Sequence, residues 1–199
     1  MPSTRPTRKH KEKPMKFIIA SDIHGSAYWC QKLLDRYNEE KADRLILLGD
    51  ILYHGPRNDL PQGYAPKEVI AMLNPLKDKL LCVRGNCDTE VDQMVLDFPI
   101  LADYAIIPLA DRLIYATHGH VYNSSKLPPV CQNDILLHGH THVPVCQKNP
   151  DQIYINPGSV SIPKENSPHS YILFDGEGFY WKDIETGEVY KEAHIGKNI

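Results

Sequence analysis

Residues 138–142 read His138-Gly139-His140-Thr141-His142. Three imidazoles in five residues are hard to reconcile with core packing, and imidazole is the side chain most often found on transition metals near neutral pH. In an extended segment, residues i and i+2 point to the same side, so His140 and His142 are expected to face one site together. Gly139 lets the backbone come close to that site. The competing reading is an exposed polar loop that happens to be rich in histidine. The rest of the chain separates the two, because four more segments bring matching ligands.

Upstream, short apolar runs alternate with helical patterns. Residues 16–21 read as a buried first strand that ends in Asp22-Ile23-His24-Gly25. A carboxylate and an imidazole at the end of a buried strand form a metal half-site. Helix capping by Asp22 or Ser26 explains one polar residue but leaves His24 unexplained. A helix is predicted over 26–38, with Trp29, Leu33, Leu34 and Tyr37 on one stripe. A second strand, 44–48, ends in Gly49-Asp50. In the loop that follows, His54, Arg57 and Asn58 are suited to reaching a phosphate, or the loop is simply solvated. Pro66 opens a second helix carrying Val69, Ile70 and Leu73. A third strand, 80–83, runs into Arg84-Gly85-Asn86-Cys87-Asp88. This alternation predicts a parallel sheet with Asp22, His24, Asp50 and Asn86 gathered at the carboxyl ends of its strands.

The second half changes character. Residues 103–108 and 112–117 read as a hairpin around Ala110-Asp111, ending in His118-Gly119-His120. A strand over 134–137 leads into the histidine stretch, and 152–155 precedes the turn Asn156-Pro157-Gly158-Ser159. Residues 171–174 and 178–182 flank Asp175-Gly176-Glu177 as a second hairpin, with a last strand near 188–191. No repeat or linker interrupts the pattern, so one domain over residues 15–199, with two sheet-forming halves, is expected.

The 199-residue length suits one domain with a real core. Cys30, Cys82, Cys87, Cys131 and Cys146 are odd in number and form no Cys-x-x-Cys pair, which predicts a reducing compartment and a cytoplasmic protein. No run is apolar enough to span a membrane. Residues 1–14 hold three prolines, five basic residues and one acidic residue, and read as a basic disordered arm. The other 17 basic and 24 acidic residues leave the body at −7. A body that acidic argues against non-specific nucleic-acid binding.

The collected set is Asp22, His24, Asp50, Asn86, His118, His140 and His142. It exceeds the needs of one tetrahedral zinc and suits two ions such as Mn²⁺, Fe or Zn²⁺, with Asp50 the best bridging carboxylate. Two ions roughly 3.5–4 Å apart clamp both oxygens of an in-line phosphoryl displacement and lower the pKa of a bound water. Hydrolysis of a phosphate ester is the chemistry inferred.

In that order, Asp22-x-His24, Gly49-Asp50, Gly85-Asn86, His118 and Gly139-His140-x-His142 resemble the five blocks of the calcineurin-like metallophosphoesterases, across residues 15–199. The stretches 49–58, 84–88 and 156–163 resemble in particular the small bacterial YfcE-type phosphodiesterases. The resemblance implies an α/β fold, a four-layer α/β/β/α sandwich of two mixed sheets flanked by helices. It implies one metal held by Asp22, His24, Asp50 and His142, and a second held by Asp50, Asn86, His118 and His140. Asp50, Asn86 and His118 then become catalytic, in a phosphodiesterase that attacks a small-molecule diester with a metal-bridging hydroxide. Mn²⁺ is the first choice of ion, with Zn²⁺, Fe²⁺ and Ni²⁺ as alternatives, and a homo-oligomer is expected.

One departure stands out. Many members carry His after the Asn, where this chain has Cys87, as the YfcE-like group usually does. A thiol is a poorer proton donor to an alkoxide and carries no positive charge at pH 7. His120, His54 and a metal-bound water remain candidates for that proton, and Cys87 either takes part or fills space. His138 and His120 either orient a ligand or merely adjoin one. Two other functions compete: a phosphomonoesterase, and an interaction scaffold such as a retromer subunit that shares this fold. Scaffold members have lost parts of the ligand set, whereas all seven positions here hold competent ligands.

Overall fold

The computed structural model describes residues 14–109 and 112–194. Residues 1–13 of the expected arm and the turn Ala110-Asp111 lie outside the described residues. The chain opens with β1 (Phe17–Ala20), α1 (Ala27–Glu40), β2 (Arg44–Leu47), α2 (Pro66–Leu73) and β3 (Leu80–Cys82). The three strands are parallel, with Ile19 opposite Ile46 and Ile46 opposite Leu81. Ile18, Leu45 and Leu47 pack towards α1 and α2, while Ile19, Ile46 and Leu48 face the opposite side. Burial on both faces is why these strands read as unbroken apolar runs.

Of the two candidate caps, Ser26 starts α1: its Oγ accepts from Trp29 N at 3.1 Å. The helix closes on Lys41 in a left-handed conformation, φ 52°, whose N–H returns to Asn38 O. The expected stripe of Trp29, Leu33, Leu34 and Tyr37 is buried, each side chain stabilising the fold by about 2 kcal/mol.

The second sheet is built from β4 (Tyr104–Leu109), β5 (Arg112–Thr117), β6 (Ile135–His138), β7 (Pro144–Lys148) and β8 (Ile153–Pro157), in the order β4-β5-β6-β8-β7. The sequence reading misses β7. That strand begins with Pro144 and lies at the sheet edge, where a missing N–H costs no ladder bond. It also misses the single turn α3 (Glu90–Gln93), closed by a capping box between Thr89 and Asp92.

The last three strands correct the expected division into two halves. β9 (Ser170–Phe174), β10 (Gly178–Asp183) and β11 (Val189–His194) return to the first sheet, giving the order β11-β10-β9-β1-β2-β3. β9 runs antiparallel to β1, with Ile172 opposite Ile19. Phe174, Phe179 and Trp181 thereby join Ile114, Leu137 and Ile155 in the core between the sheets.

Both sheets are mixed, and α1 and α2 cover the six-stranded one, as expected of the architecture. On the outer face of the five-stranded sheet, Tyr115 is tied by its hydroxyl to Pro129 O, 2.8 Å away in the irregular segment before β6. All five cysteines are free. No helix among the described residues is long and apolar enough to cross a membrane.

Candidate metal centre

The carboxyl ends of β1, β2, β3, β5 and β6 converge on one rim of the sandwich. Asp22 and His24 follow β1, Asp50 follows β2, Asn86 follows β3, His118 follows β5, and His140 and His142 follow β6. The side chains of Asp22, His24, Asp50, His118 and His142 are buried.

The chain does not present these groups from extended backbone. Asp22 (φ 61°), His24 (48°), Asp50 (55°), His140 (65°) and His142 (62°) are all left-handed. The i, i+2 argument for His140 and His142 is therefore corrected in its geometry: both reach the site from a turn, not from one face of a strand. Such conformations cost about 1–3 kcal/mol each and persist only where the surroundings enforce them.

The enforcement is visible. Asp88 Oδ2 accepts from Asp50 N at 2.8 Å and Gly85 N at 2.7 Å, and its Oδ1 accepts from Ile51 N at 2.9 Å. Ser159 Oγ and Ser161 Oγ both donate to Asp22 O, at 3.1 and 3.0 Å. Asn156 Nδ2 donates to Gly139 O at 2.9 Å and to Thr141 Oγ1 at 3.0 Å. Two glycines are required by close approach. A Cβ on Gly85 would lie 2.1 Å from Asp50 Oδ1, and one on Gly139 would lie 1.9 Å from Ser21 Oγ.

Three histidines are fixed from behind. His24 Nδ1 donates to Tyr53 O at 2.8 Å, His118 Nδ1 to Leu48 O at 2.6 Å, and His142 Nδ1 to Ile162 O at 2.6 Å. A carbonyl can only accept, so each Nδ1 holds a proton and each Nε2 is the nitrogen turned towards the site. His24 Nε2 and His142 Nε2 lie 3.4 Å apart, and each is near Asp22 Oδ1, at 3.6 and 3.3 Å. Asp22 Oδ1 itself is buried with no hydrogen-bond partner. On the other side, His118 Nε2 is 3.1 Å from both Asn86 Oδ1 and His140 Nδ1. Asp50 Oδ2 lies between the two groups, 3.6 Å from His24 Nε2 and 3.5 Å from His118 Nε2. Asp50 Oδ1 is occupied by Cys87 N at 2.8 Å. Donor atoms around one ion with bonds near 2.1 Å stand about 3.0–3.5 Å apart, and the separations here, 3.1–3.6 Å, are close to that, so these residues could hold a metal ion.

Without a cation the cluster is held by protons. Burial opposes the His118 imidazolium, but Asp50 and Asp22 lift it to about 9. Burial likewise opposes a charged His24, which the Asp22 and Asp50 carboxylates raise. Burial works against the Asp22 carboxylate, yet His142 and His24 hold it well below the usual range. His140 is lowered by burial and by His118.

The remaining predicted residues divide. Arg57, Asn58 and Cys87 line a cleft of about 450 Å³ over the cluster, with His140 and His142. His54 does not line it; its ring packs edge-on against Tyr53 and Tyr64, at 4.8 and 5.3 Å between centroids. His120 is exposed beside His118, ring centroids 5.4 Å apart, and lines a neighbouring groove. Cys87 Sγ accepts from Asn86 Nδ2 at 3.2 Å. Burial and then Asp50 push its thiol up, so it stays protonated. His138 stacks on Tyr154 at 4.3 Å and donates from Nδ1 to Gly139 O at 3.0 Å, which places it under the turn that carries His140. His169 lies against Trp29, away from the cluster.

Asp88, Asn156, Ser159, Ser161 and Lys164 are absent from the sequence-derived site. The first four lie in stretches whose family likeness was legible, but their roles are hydrogen bonds to distant backbone. Lys164 joins the cleft lining with no local sequence signal.

Residues 15–178 match the calcineurin-like phosphoesterase superfamily domain. The chain is 47% identical over 163 residues to the Escherichia coli phosphodiesterase YfcE, covering 82% of this chain and 89% of that one. The solved structure of the E. coli phosphoesterase Yfce superposes with a TM-score of 0.88 at 43% identity, covering 92% of this chain and all of that one. Vacuolar protein sorting 29 of Cryptosporidium parvum shares the fold, with a TM-score of 0.59 at 17% identity over 92% of this chain and all of that one. On matching model, matching sequence and matching sandwich, this chain belongs to the calcineurin-like phosphoesterase superfamily.

Proposed function

We propose that this chain is a dinuclear metal-dependent phosphodiesterase acting on a small-molecule diester. One observation carries the reading. His24 and His142 spend their Nδ1 protons on carbonyls, so their two Nε2 atoms converge at 3.4 Å beside Asp22 Oδ1, which is buried with no hydrogen-bond partner. A divalent ion among these three donors would take the place of the protons that otherwise hold them together.

Asp22, His24, Asp50 and His142 would hold one ion; Asp50, Asn86, His118 and His140 would hold the other. A bound pair of divalent ions supplies a hydroxide nucleophile at neutral pH and neutralises charge developing on the phosphoryl oxygens. The chain's own part is to fix that set: Asp88 holds the Asp50 backbone, Asn156 and the two serines hold the β1 and β6 turns, and Leu48 O, Tyr53 O and Ile162 O set the imidazole tautomers. The N/O donor set accepts Mn²⁺, Zn²⁺, Fe²⁺ or Ni²⁺, with Mn²⁺ proposed first. A diester is favoured over a monoester dianion because Cys87, a neutral thiol, stands where an imidazolium would supply a further positive charge. The E. coli relative is named a phosphodiesterase.

The test strips the protein with chelator, restores one metal at a time, and compares bis(p-nitrophenyl) phosphate with p-nitrophenyl phosphate. Metal-dependent turnover of the diester, about two ions per chain, and its loss in Asp50→Asn are expected. Wild-type turnover in Asp50→Asn at full metal occupancy would remove the bridging role. Monoester turnover exceeding diester turnover would favour a phosphatase.

A further inference from the structure

Two clefts meet at the cluster. His140 and Thr141 line both. The first, of about 450 Å³, carries Arg57 and Lys164, and its only carboxylate is Asp50. The second, of about 600 Å³, carries Val143, Tyr154 and Ser124, and its only charged carboxylate or ammonium group is Glu165.

The segment after β8 borders both clefts. It is tied to a candidate ligand twice: His142 Nδ1 donates to Ile162 O at 2.6 Å, and Lys164 N donates to His142 O at 3.2 Å. Glu165 and Asn166 are both left-handed, at φ 55° and 57°. The chain reverses there, and the consecutive residues Lys164 and Glu165 line opposite clefts. The site is therefore electrically asymmetric. Among the described residues, neither Arg57 nor Lys164 is engaged in an ion pair or side-chain hydrogen bond.

Charge counting then identifies what they face. On the dinuclear reading, two divalent ions, Asp22, Asp50, the adjoining Asp88, a hydroxide and a singly charged diester sum to −1. Arg57 and Lys164 together exceed that balance by one positive charge, in a body whose net charge is otherwise strongly negative. Unpaired cations on a cleft rim attract anionic groups, and guanidinium suits carboxylate or phosphate.

We propose that the substrate is an asymmetric phosphodiester, one arm carrying a further negative charge and lying along Arg57 and Lys164. The other arm is uncharged and lies in the cleft of Val143, Tyr154 and Glu165. This rests on the dinuclear phosphodiesterase reading and adds the substrate class.

The test uses the manganese-loaded protein and three diesters with one common leaving group: the p-nitrophenyl phosphodiesters of glycerol, choline and glyceric acid. They present a neutral, a cationic and an anionic arm, so differences in kcat/KM report the arm alone. In the wild type the anionic diester should exceed the neutral one, and the choline diester should be poorest. In Arg57→Ala/Lys164→Ala the ratio of kcat/KM for anionic over neutral diester should fall about five- to tenfold, the range for two exposed charge contacts. Lys164→Glu should move the preference towards choline. Equal kcat/KM for all three in the wild type overturns the proposal and leaves the phosphodiesterase reading standing. So does a double variant that slows all three in proportion, because these cations would then grip the scissile phosphate. No metal-dependent turnover of any diester overturns the underlying reading, and the proposal with it.

Discussion

Replacing Asp88 with Asn tests whether the centre is held up by a carboxylate that touches no substrate. Asp88 accepts three backbone N–H bonds, two on Oδ2 from Asp50 and Gly85 and one on Oδ1 from Ile51, all between 2.7 and 2.9 Å. An amide keeps the shape but has one oxygen. Its best orientation keeps the Asp50 and Gly85 donors and turns an NH₂ against Ile51 N–H. One buried donor is then unpaired, at about 1–3 kcal/mol, and two bonds lose their charge assistance, at about 1 kcal/mol each. Against this stands the relief of burying a charge, because burial raises the Asp88 carboxyl. The balance is a loss of about 2–3 kcal/mol, or about 5–10 °C in Tm for a chain of this size. Because Asp50 N is one of the three donors, manganese affinity should fall by about 10- to 100-fold as well. Thermal melts of the chelated protein isolate the first effect, and calorimetric titration with Mn²⁺ measures the second. A chelated Asp88→Asn protein that melts within about a degree of wild type would refute the reasoning.

Gly85→Ala puts a Cβ 2.1 Å from Asp50 Oδ1 and 2.3 Å from Asp50 N; displacing Asp50 should lower kcat/KM about 100-fold, with bound manganese below two ions per chain by elemental analysis. Since Asp50 and Asp22 raise His118 to about 9 in the metal-free protein, metal uptake at pH 7.5 should release at least about one proton, read by calorimetry in buffers of different ionisation heat. By the same shift, His118 stabilises the stripped protein below about pH 6.5, and that contribution is lost as pH rises through about 9. Stripped protein should therefore melt progressively lower between those values, and a melting temperature that stays flat or rises would contradict the assignment.

Sequence alone pointed to the strand–helix alternation, the buried stripe of α1, two alternative caps for it and the seven candidate ligands. Those features rest on local chemistry: apolar periodicity, a short hydroxyl before a helix, and metal-binding side chains at strand ends. His140 and His142 line one cleft, but not by the geometry read from the sequence, because a 2-residue period cannot reveal that both lie in left-handed turns. Only tertiary structure decided that the last three strands complete the first sheet, since the apolar runs of β9 and β10 show that they are buried but not against which edge. It also decided the supports of the site. Asp88 to Asp50 N, Asn156 to Gly139 O and Ser161 to Asp22 O join residues 38, 17 and 139 positions apart, and no local pattern encodes a hydrogen bond to distant backbone. Electrical asymmetry between the clefts is of the same kind: Lys164 and Glu165 are neighbours in sequence, and it takes the reversal at Glu165 and Asn166 to set their charges on opposite sides of the centre.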